Sequence, residues 1–293
     1  VDVAQLRSDF YSARAAATAV RVNKQYFRQT SKDHVTVPFF FKLSSPEATN
    51  VCSDENFAEQ PTIAECTGFL IDEDILVTAG HCVTPKGVVT ENAMTDACDE
   101  NVWMFDYQTD ENGEMDLTEL KLDNIYTCEK VIFAKYEGVI EINGKEVHGD
   151  DFAVVKLGRK VKDRAPLKIR KEGKINLDDE IFVIGAPTGL PLKVAGDAQV
   201  TSNHNSRFFT SNLDTFSGNS GSPVFNARTG EVEGILVRGK SDYYPDPTEK
   251  QFSDRPCRRV NICKQDGTSC KYKTPFEASG EHVTRITEVL SYL

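Results

Sequence analysis

Apolar residues in the first segment recur at alternating steps of three and four, at Val3, Leu6, Phe10, Ala13, Ala17 and Val20. That spacing gathers them on one helical face and predicts a helical extension within residues 1–33. From about His34 the pattern changes to short runs rich in β-branched and aromatic residues. These are Val35 to Phe41, Gly68 to Ile71, Ile75 to Thr78, Val131 to Phe133, Phe152 to Val155, Ile181 to Ile184, Val224-Phe225 and Gly234 to Val237. Asn143-Gly144 between Val139-Ile140-Glu141-Ile142 and Lys145-Glu146-Val147-His148 is a hairpin signature. Many short strands with no helices between them predict an all-β barrel or sandwich. The chain closes on a stripe of Val283, Ile286, Leu290 and Leu293, which predicts a C-terminal helix over 281–293 with Ser279 as its cap.

With 39% hydrophobic and 27% charged residues, the 293-residue chain has a globular composition and room for one large core or two medium ones. No run approaches the apolar length of a membrane span. A net charge of −11 repels polyanions, so neither nucleic acid nor an anionic membrane surface is an expected partner. The chain is expected to act as a monomer. Residues 91–130 are unusually acidic and predict an elaborated loop or hairpin. Setting Gly113 at the glycine of a calcium loop puts Gln108 where the first carboxylate belongs, so Asn112-Gly113 reads as a plain turn.

Eight cysteines, Cys52, Cys66, Cys82, Cys98, Cys128, Cys257, Cys263 and Cys270, include no CxxC pair, and their spacing suits no zinc pattern. Disulfides formed in an oxidising compartment account for them better, and no metal or cofactor is expected. The opening Val1-Asp2-Val3 is what a mature secreted product would show after loss of a leader.

Three segments carry chemistry. In Gly218-Asn219-Ser220-Gly221-Ser222-Pro223, small neighbours expose a serine on a tight turn and let the amides of Gly218 and Ser220 converge as an oxyanion hole requires. In Leu76-Val77-Thr78-Ala79-Gly80-His81-Cys82, a strand runs into a turn bearing a histidine, and a Cys66–Cys82 bridge would clamp the hairpin that carries it. In Asp150-Asp151-Phe152-Ala153-Val154-Val155-Lys156-Leu157, a carboxylate heads an apolar run, where it can meet a buried imidazole.

Together, and in this order, these segments resemble the catalytic blocks of the chymotrypsin-like serine proteases, over about Val35 to Leu293. The Cys66-to-Cys82 spacing matches that family's histidine loop. The block Gly218 to Asn226 is similar to that of the bacterial branch that includes the glutamyl endopeptidases. Asn219 stands where animal-type members keep an Asp that pairs with a new N-terminus, and it cannot form that ion pair.

The resemblance implies two six-stranded antiparallel barrels, roughly 34–160 and 161–280, with the site between them and a helix at 281–293. It implies a secreted endopeptidase acting on protein or peptide substrates. Ser220 would be the nucleophile, His81 the base and Asp151 its orienter, with Asp150 the fallback. The alternatives are a non-catalytic binding relative or an inactive precursor held by its N-terminal segment.

By the same resemblance, Asp214, Thr215, Leu236, Val237 and Gly239 would bind substrate. Asp214 would select Lys or Arg before the cut unless Arg238 neutralises it, the alternatives being a small or apolar residue or an acidic one, and Val237 and Gly239 would offer backbone groups to an extended peptide. Of the remaining cysteines, Cys98–Cys128 is the preferred pair, with one of Cys257, Cys263 and Cys270 reaching Cys52 or its own neighbours.

Overall fold

The structure, a computed structural model, describes residues 1–142, 145–239, 241–250, 255–262, 271 and 280–293. Its first barrel is built from β1 (Thr18–Asn23), β2 (Cys66–Asp72), β3 (Ile75–Thr78), β4 (Asn101–Met104), β5 (Ile125–Tyr136) and β6 (Asp151–Leu157). They are hydrogen-bonded in the order β6-β3-β2-β1-β4-β5, and a β5–β6 pairing closes the ring. The second barrel holds β7 (Glu180–Gly185), β8 (Lys193–Ser202), β9 (Phe208–Ser211), β10 (Pro223–Asn226), β11 (Val232–Arg238) and β12 (Glu281–Arg285). Its closed order is β7-β8-β9-β12-β11-β10. The two six-stranded antiparallel barrels expected from the sequence are therefore present.

The strands are buried on both faces. Phe69, Leu76, Val77, Val154 and Val155 are fully buried in the first barrel. Val183, Val200, Phe209, Val224, Leu236 and Val283 fill the second. Closing both sheets removes the exposed edges that would invite pairing with other chains. The two arms of the expected hairpin pair antiparallel, with Val139 opposite His148 and Ile142 opposite Lys145; Asn143 and Gly144 lie outside the described residues.

The N-terminal expectation needs correction. Helix α1 covers only Asp9–Ala16, and the residues from Thr18 onward are β1, paired to β2 on one side and β4 on the other. Two ladders of backbone hydrogen bonds outweigh the weak helical stripe there. The helix packs on the second barrel, where Phe10 and Tyr11 contact Phe182 and Arg14 donates to the Gly230 carbonyl. Just before it, buried Asp2 pairs with buried Lys193 at 2.6 Å.

The C-terminal expectation also changes. Glu281–Arg285 is a strand, and it leads into a 3-10 helix, Ile286–Tyr292, with Ile286 and Val289 buried. Ser279, the expected cap, lies outside the described residues. The acidic stretch is the elaborated hairpin expected: β4 pairs antiparallel with the start of β5, Met104 opposite Ile125, and Gly113 turns between them with a φ of 82°.

Three disulfides join described residues: Cys66–Cys82, Cys98–Cys128 and Cys52–Cys257. Cys263 and Cys270 lie outside the described residues. No described helix is long and apolar enough to cross a membrane.

Candidate active site

His81 lies in a 3-10 turn, Gly80–Cys82, directly after β3. Asp151 opens β6, and the ladder sets Ala153 opposite Thr78, so the head of β6 faces the turn that carries His81. The carboxylate holds that histidine at two points. Oδ1 accepts the His81 backbone N–H at 3.1 Å, and Oδ2 lies 2.9 Å from Nδ1. Asp151 is 1% exposed, and an ionised carboxylate can only accept. Nδ1 therefore carries a proton, which in the neutral imidazole leaves Nε2 with its lone pair. The Tyr136 ring, 5.4 Å from the imidazole, flanks it.

Asp150 does not compete. Its carboxylate is taken by Lys135 and Arg207, each at 2.8 Å.

Ser220 reaches the site from the second barrel, on the loop that leads into β10. Thr67 of β2 grips this loop across the barrel interface: its N–H donates to the Ser220 carbonyl at 2.8 Å and its hydroxyl to the Gly218 carbonyl at 3.0 Å. From the other side, Thr284 of β12 donates its hydroxyl to the Asp151 carbonyl at 3.0 Å. These two threonines tie the Ser220 loop and Asp151 to opposite barrels. No sequence motif marks either one.

Gly221 makes the close approach possible. Its φ is 89°, and a Cβ there would come within 2.0 Å of the Thr67 carbonyl oxygen. The Ser220 carbonyl oxygen lies 3.7 Å from Cys82 Sγ, beside His81. Ser220 and His81 are not themselves hydrogen-bonded; in unliganded sites such contacts are often long and tighten with substrate. Among the described residues, the amides of Gly218 and Ser220 make no hydrogen bond, whereas Asn219 N–H donates to the Phe216 carbonyl and Gly221 N–H to the Leu236 carbonyl. Asn219 is buried and accepts from Ser222 Oγ at 3.5 Å.

A cavity of about 230 Å³ opens at Ser220. Thr215, Leu236 and Gly239 line it, as the sequence led us to expect. Val237 lines instead a smaller cleft with Gly149 and His282. Asp214 lines a neighbouring, largely apolar cavity of about 180 Å³ with Phe57, Lys193 and Asn219, and Phe216 borders both cavities. Residues 212–216 have no regular structure, so spacing from Ser220 does not determine on which side of the segment an individual side chain falls.

The acids that line the Ser220 cavity are Asp242 and Glu281, neither of which the sequence motifs singled out. Burial pushes the Asp242 carboxyl up to about 6, although a 2.8 Å bond from the Ser217 N–H favours the anion. The folded value exceeds the ordinary 3.8, so Asp242 favours the folded state most when protonated, and that contribution is lost as pH rises through about 6. Asp242→Asn keeps an acceptor for Ser217 without the charge. It is expected to melt above the wild type at about pH 8, with the difference vanishing near pH 4, in thermal scans at the two pH values.

The solved structures similar to this chain include two at low identity. The active form of the Rv3671c protease from M. tuberculosis is 14% identical, with 100% of this chain and 86% of that chain covered and a TM-score of 0.47. The serine endoprotease from Yersinia pestis is also 14% identical, with 86% of this chain and 60% of that chain covered and a TM-score of 0.42. Neither is close enough to inform the site. No curated protein matches the chain in sequence. The family model of the trypsin-like peptidase domain matches residues 66–235, more than half of the chain and a span that takes in His81, Asp151 and Ser220. The chain therefore belongs to the trypsin-like peptidase domain family, whose substrates are proteins and peptides.

Proposed function

We propose that this chain is a serine endopeptidase that cleaves through an acyl-enzyme on Ser220. His81 Nε2 takes the serine proton as Oγ attacks the scissile carbonyl, then returns it to the leaving amine. Asp151 fixes the Nδ1–H tautomer and stabilises the imidazolium without itself being protonated. The amides of Gly218 and Ser220 receive the oxyanion. Water then repeats the sequence to release the acid.

The observation that carries this reading is the two-point hold of His81 by buried Asp151, beside a serine loop whose two candidate oxyanion amides are uncommitted. The precursor alternative needs the N-terminal segment to be removable, whereas Thr18–Asn23 is an integral strand of the first barrel. The serine block's likeness to the glutamyl endopeptidases, together with Asn219, favours a bacterial-type enzyme that matures without pairing a new N-terminus to this position. Three disulfides support a secreted, extracytoplasmic setting. Val237 and Gly239 are read as backbone partners of an extended substrate.

The test is labelling with a fluorophosphonate, then peptide mapping. The label is expected on Ser220 and is expected to be lost in His81→Ala. Label elsewhere, or undiminished label in His81→Ala, contradicts the proposal.

A further inference from the structure

We infer that Arg238 is a positioning residue of the reaction: from the second barrel it sets a fixed positive charge against Asp151, which keeps that carboxylate an ionised acceptor and lets His81 act as a base at lower pH than it would without that charge. This rests on the serine-peptidase reading and goes beyond it, since no step of that reading uses Arg238.

Arg238 ends β11, in the barrel that does not carry Asp151. Its guanidinium donates to the Gly149 carbonyl at 3.4 Å and lies 3.7 Å from Asp151 Oδ2. At that separation it acts on the carboxylate as a charge rather than as a hydrogen-bond donor. The hydrogen bonds come from His81, its backbone N–H to Oδ1 and its Nδ1 to Oδ2. Among the described residues, Asp151 is the one carboxylate paired with Arg238.

The surroundings leave that charge unanswered by anything else. Across the β11–β12 ladder Arg238 stands opposite His282, which is 5% exposed and meets the His148 ring edge-on at 4.6 Å. Neither ring nitrogen of His282 has a hydrogen-bond partner among the described residues. Burial, then the charges of His148 and Arg238, push His282 down to about 3; burial and Arg238 push His148 down too. Two neutral imidazoles therefore lie beside the guanidinium. Other charged groups near the pair are matched elsewhere: Lys135 with Glu137 and Asp150, Arg207 with Asp150, and Arg21 with Glu65. Tyr136 flanks the imidazole, and Asp242 and Glu281 line the Ser220 cavity.

An imidazolium at His81 is attracted by Asp151 and repelled by Arg238. The guanidinium thus opposes protonation of Nε2, and the base stays available as pH falls. Protonating Asp151 instead would strip a half-buried cation of its counter-charge, so the carboxylate remains an acceptor for Nδ1–H.

The test is the pH dependence of Ser220 labelling by a small alkyl fluorophosphonate, with melting curves to confirm the fold of each variant. Arg238→Gln is expected to move the acid limb of the labelling rate up by about one pH unit. Below both limbs it then labels about tenfold more slowly than wild type, each scaled to its own plateau. Arg238→Lys restores the charge and is expected to restore the limb. Arg238→Met keeps an apolar stem without the charge; it is expected to match Arg238→Gln and replaces it if the glutamine variant does not fold. Asp242 titrates near the same cavity, so the series is repeated in Asp242→Asn, where the shift is expected to persist.

An acid limb that stays put in a folded Arg238→Gln or Arg238→Met overturns the inference, as does a shift in Arg238→Lys equal to theirs. A raised peptide KM with the labelling limb unmoved assigns Arg238 to substrate contact and overturns it as well. A wild type that takes no label overturns the serine-peptidase reading beneath it.

Discussion

Ser220→Ala is expected to lower kcat by about a million-fold while leaving the fold and substrate binding nearly intact. The nucleophilic oxygen is deleted, and no neighbouring group can replace it. The loop that carried it stays where it was, because its ties are backbone ties: Thr67 holds the carbonyls of Gly218 and Ser220, and Gly221 N–H donates to the Leu236 carbonyl. The oxyanion amides therefore remain in place, and residual hydrolysis above the rate in water is expected from them alone. His81→Ala should cost about as much, and the double variant little more, since nucleophile and base act as one unit. Single-turnover hydrolysis of a chromogenic peptide, with melting curves of each variant, checks both parts of this expectation.

Asp151→Asn is expected to lower kcat by about 10⁴-fold, through tautomer rather than position. The carboxylate accepts two hydrogens from His81, one from the backbone N–H and one from Nδ1. Asparagine has one accepting oxygen, and the two donors compete for it. The backbone N–H cannot change its nature, so it keeps the oxygen, and the amide nitrogen faces Nδ1. Arg238, 3.7 Å from Oδ2, would prefer the oxygen on its own side, but that is beyond hydrogen-bonding distance and is the weaker claim. Nδ1 must then accept, the proton moves to Nε2, and the base facing Ser220 is lost. A large fall in kcat with KM little changed supports this. A fall confined to KM would point to displacement of the imidazole instead.

How far these residues could be read from the sequence depended on how local their signals are. Asp151 heads an unbroken apolar run, and His81 comes after a strand in a Gly-His-Cys turn, so both were visible without coordinates. Strands recognised in advance, such as Gly68 to Ile71, Ile75 to Thr78, Phe152 to Val155 and Ile181 to Ile184, have nearly all their residues buried. The misread segments had other constraints. Thr18–Asn23 became a strand because partners on both sides claimed its backbone. In Glu281–Arg285 four polar or charged residues are buried around Val283, so the alternation that announces a strand was masked.

Contacts across the barrels left no trace at all. Thr67 and Thr284 act through hydroxyl-to-carbonyl bonds over sequence separations of more than a hundred residues. Cys52–Cys257, separated by 205 positions, could be narrowed only to a set of candidates. Spacing alone did not place Asp214: it lines the neighbouring cavity, while Asp242 and Glu281, which no motif marks, line the one at Ser220.

The most direct test of the account is to trap the covalent intermediate. A chromogenic acyl ester mixed rapidly with enzyme, quenched in acid and mapped by mass spectrometry should give a burst of leaving group and one acyl adduct on the peptide containing Ser220. An adduct on any other residue, or steady hydrolysis that survives in Ser220→Ala, would contradict it.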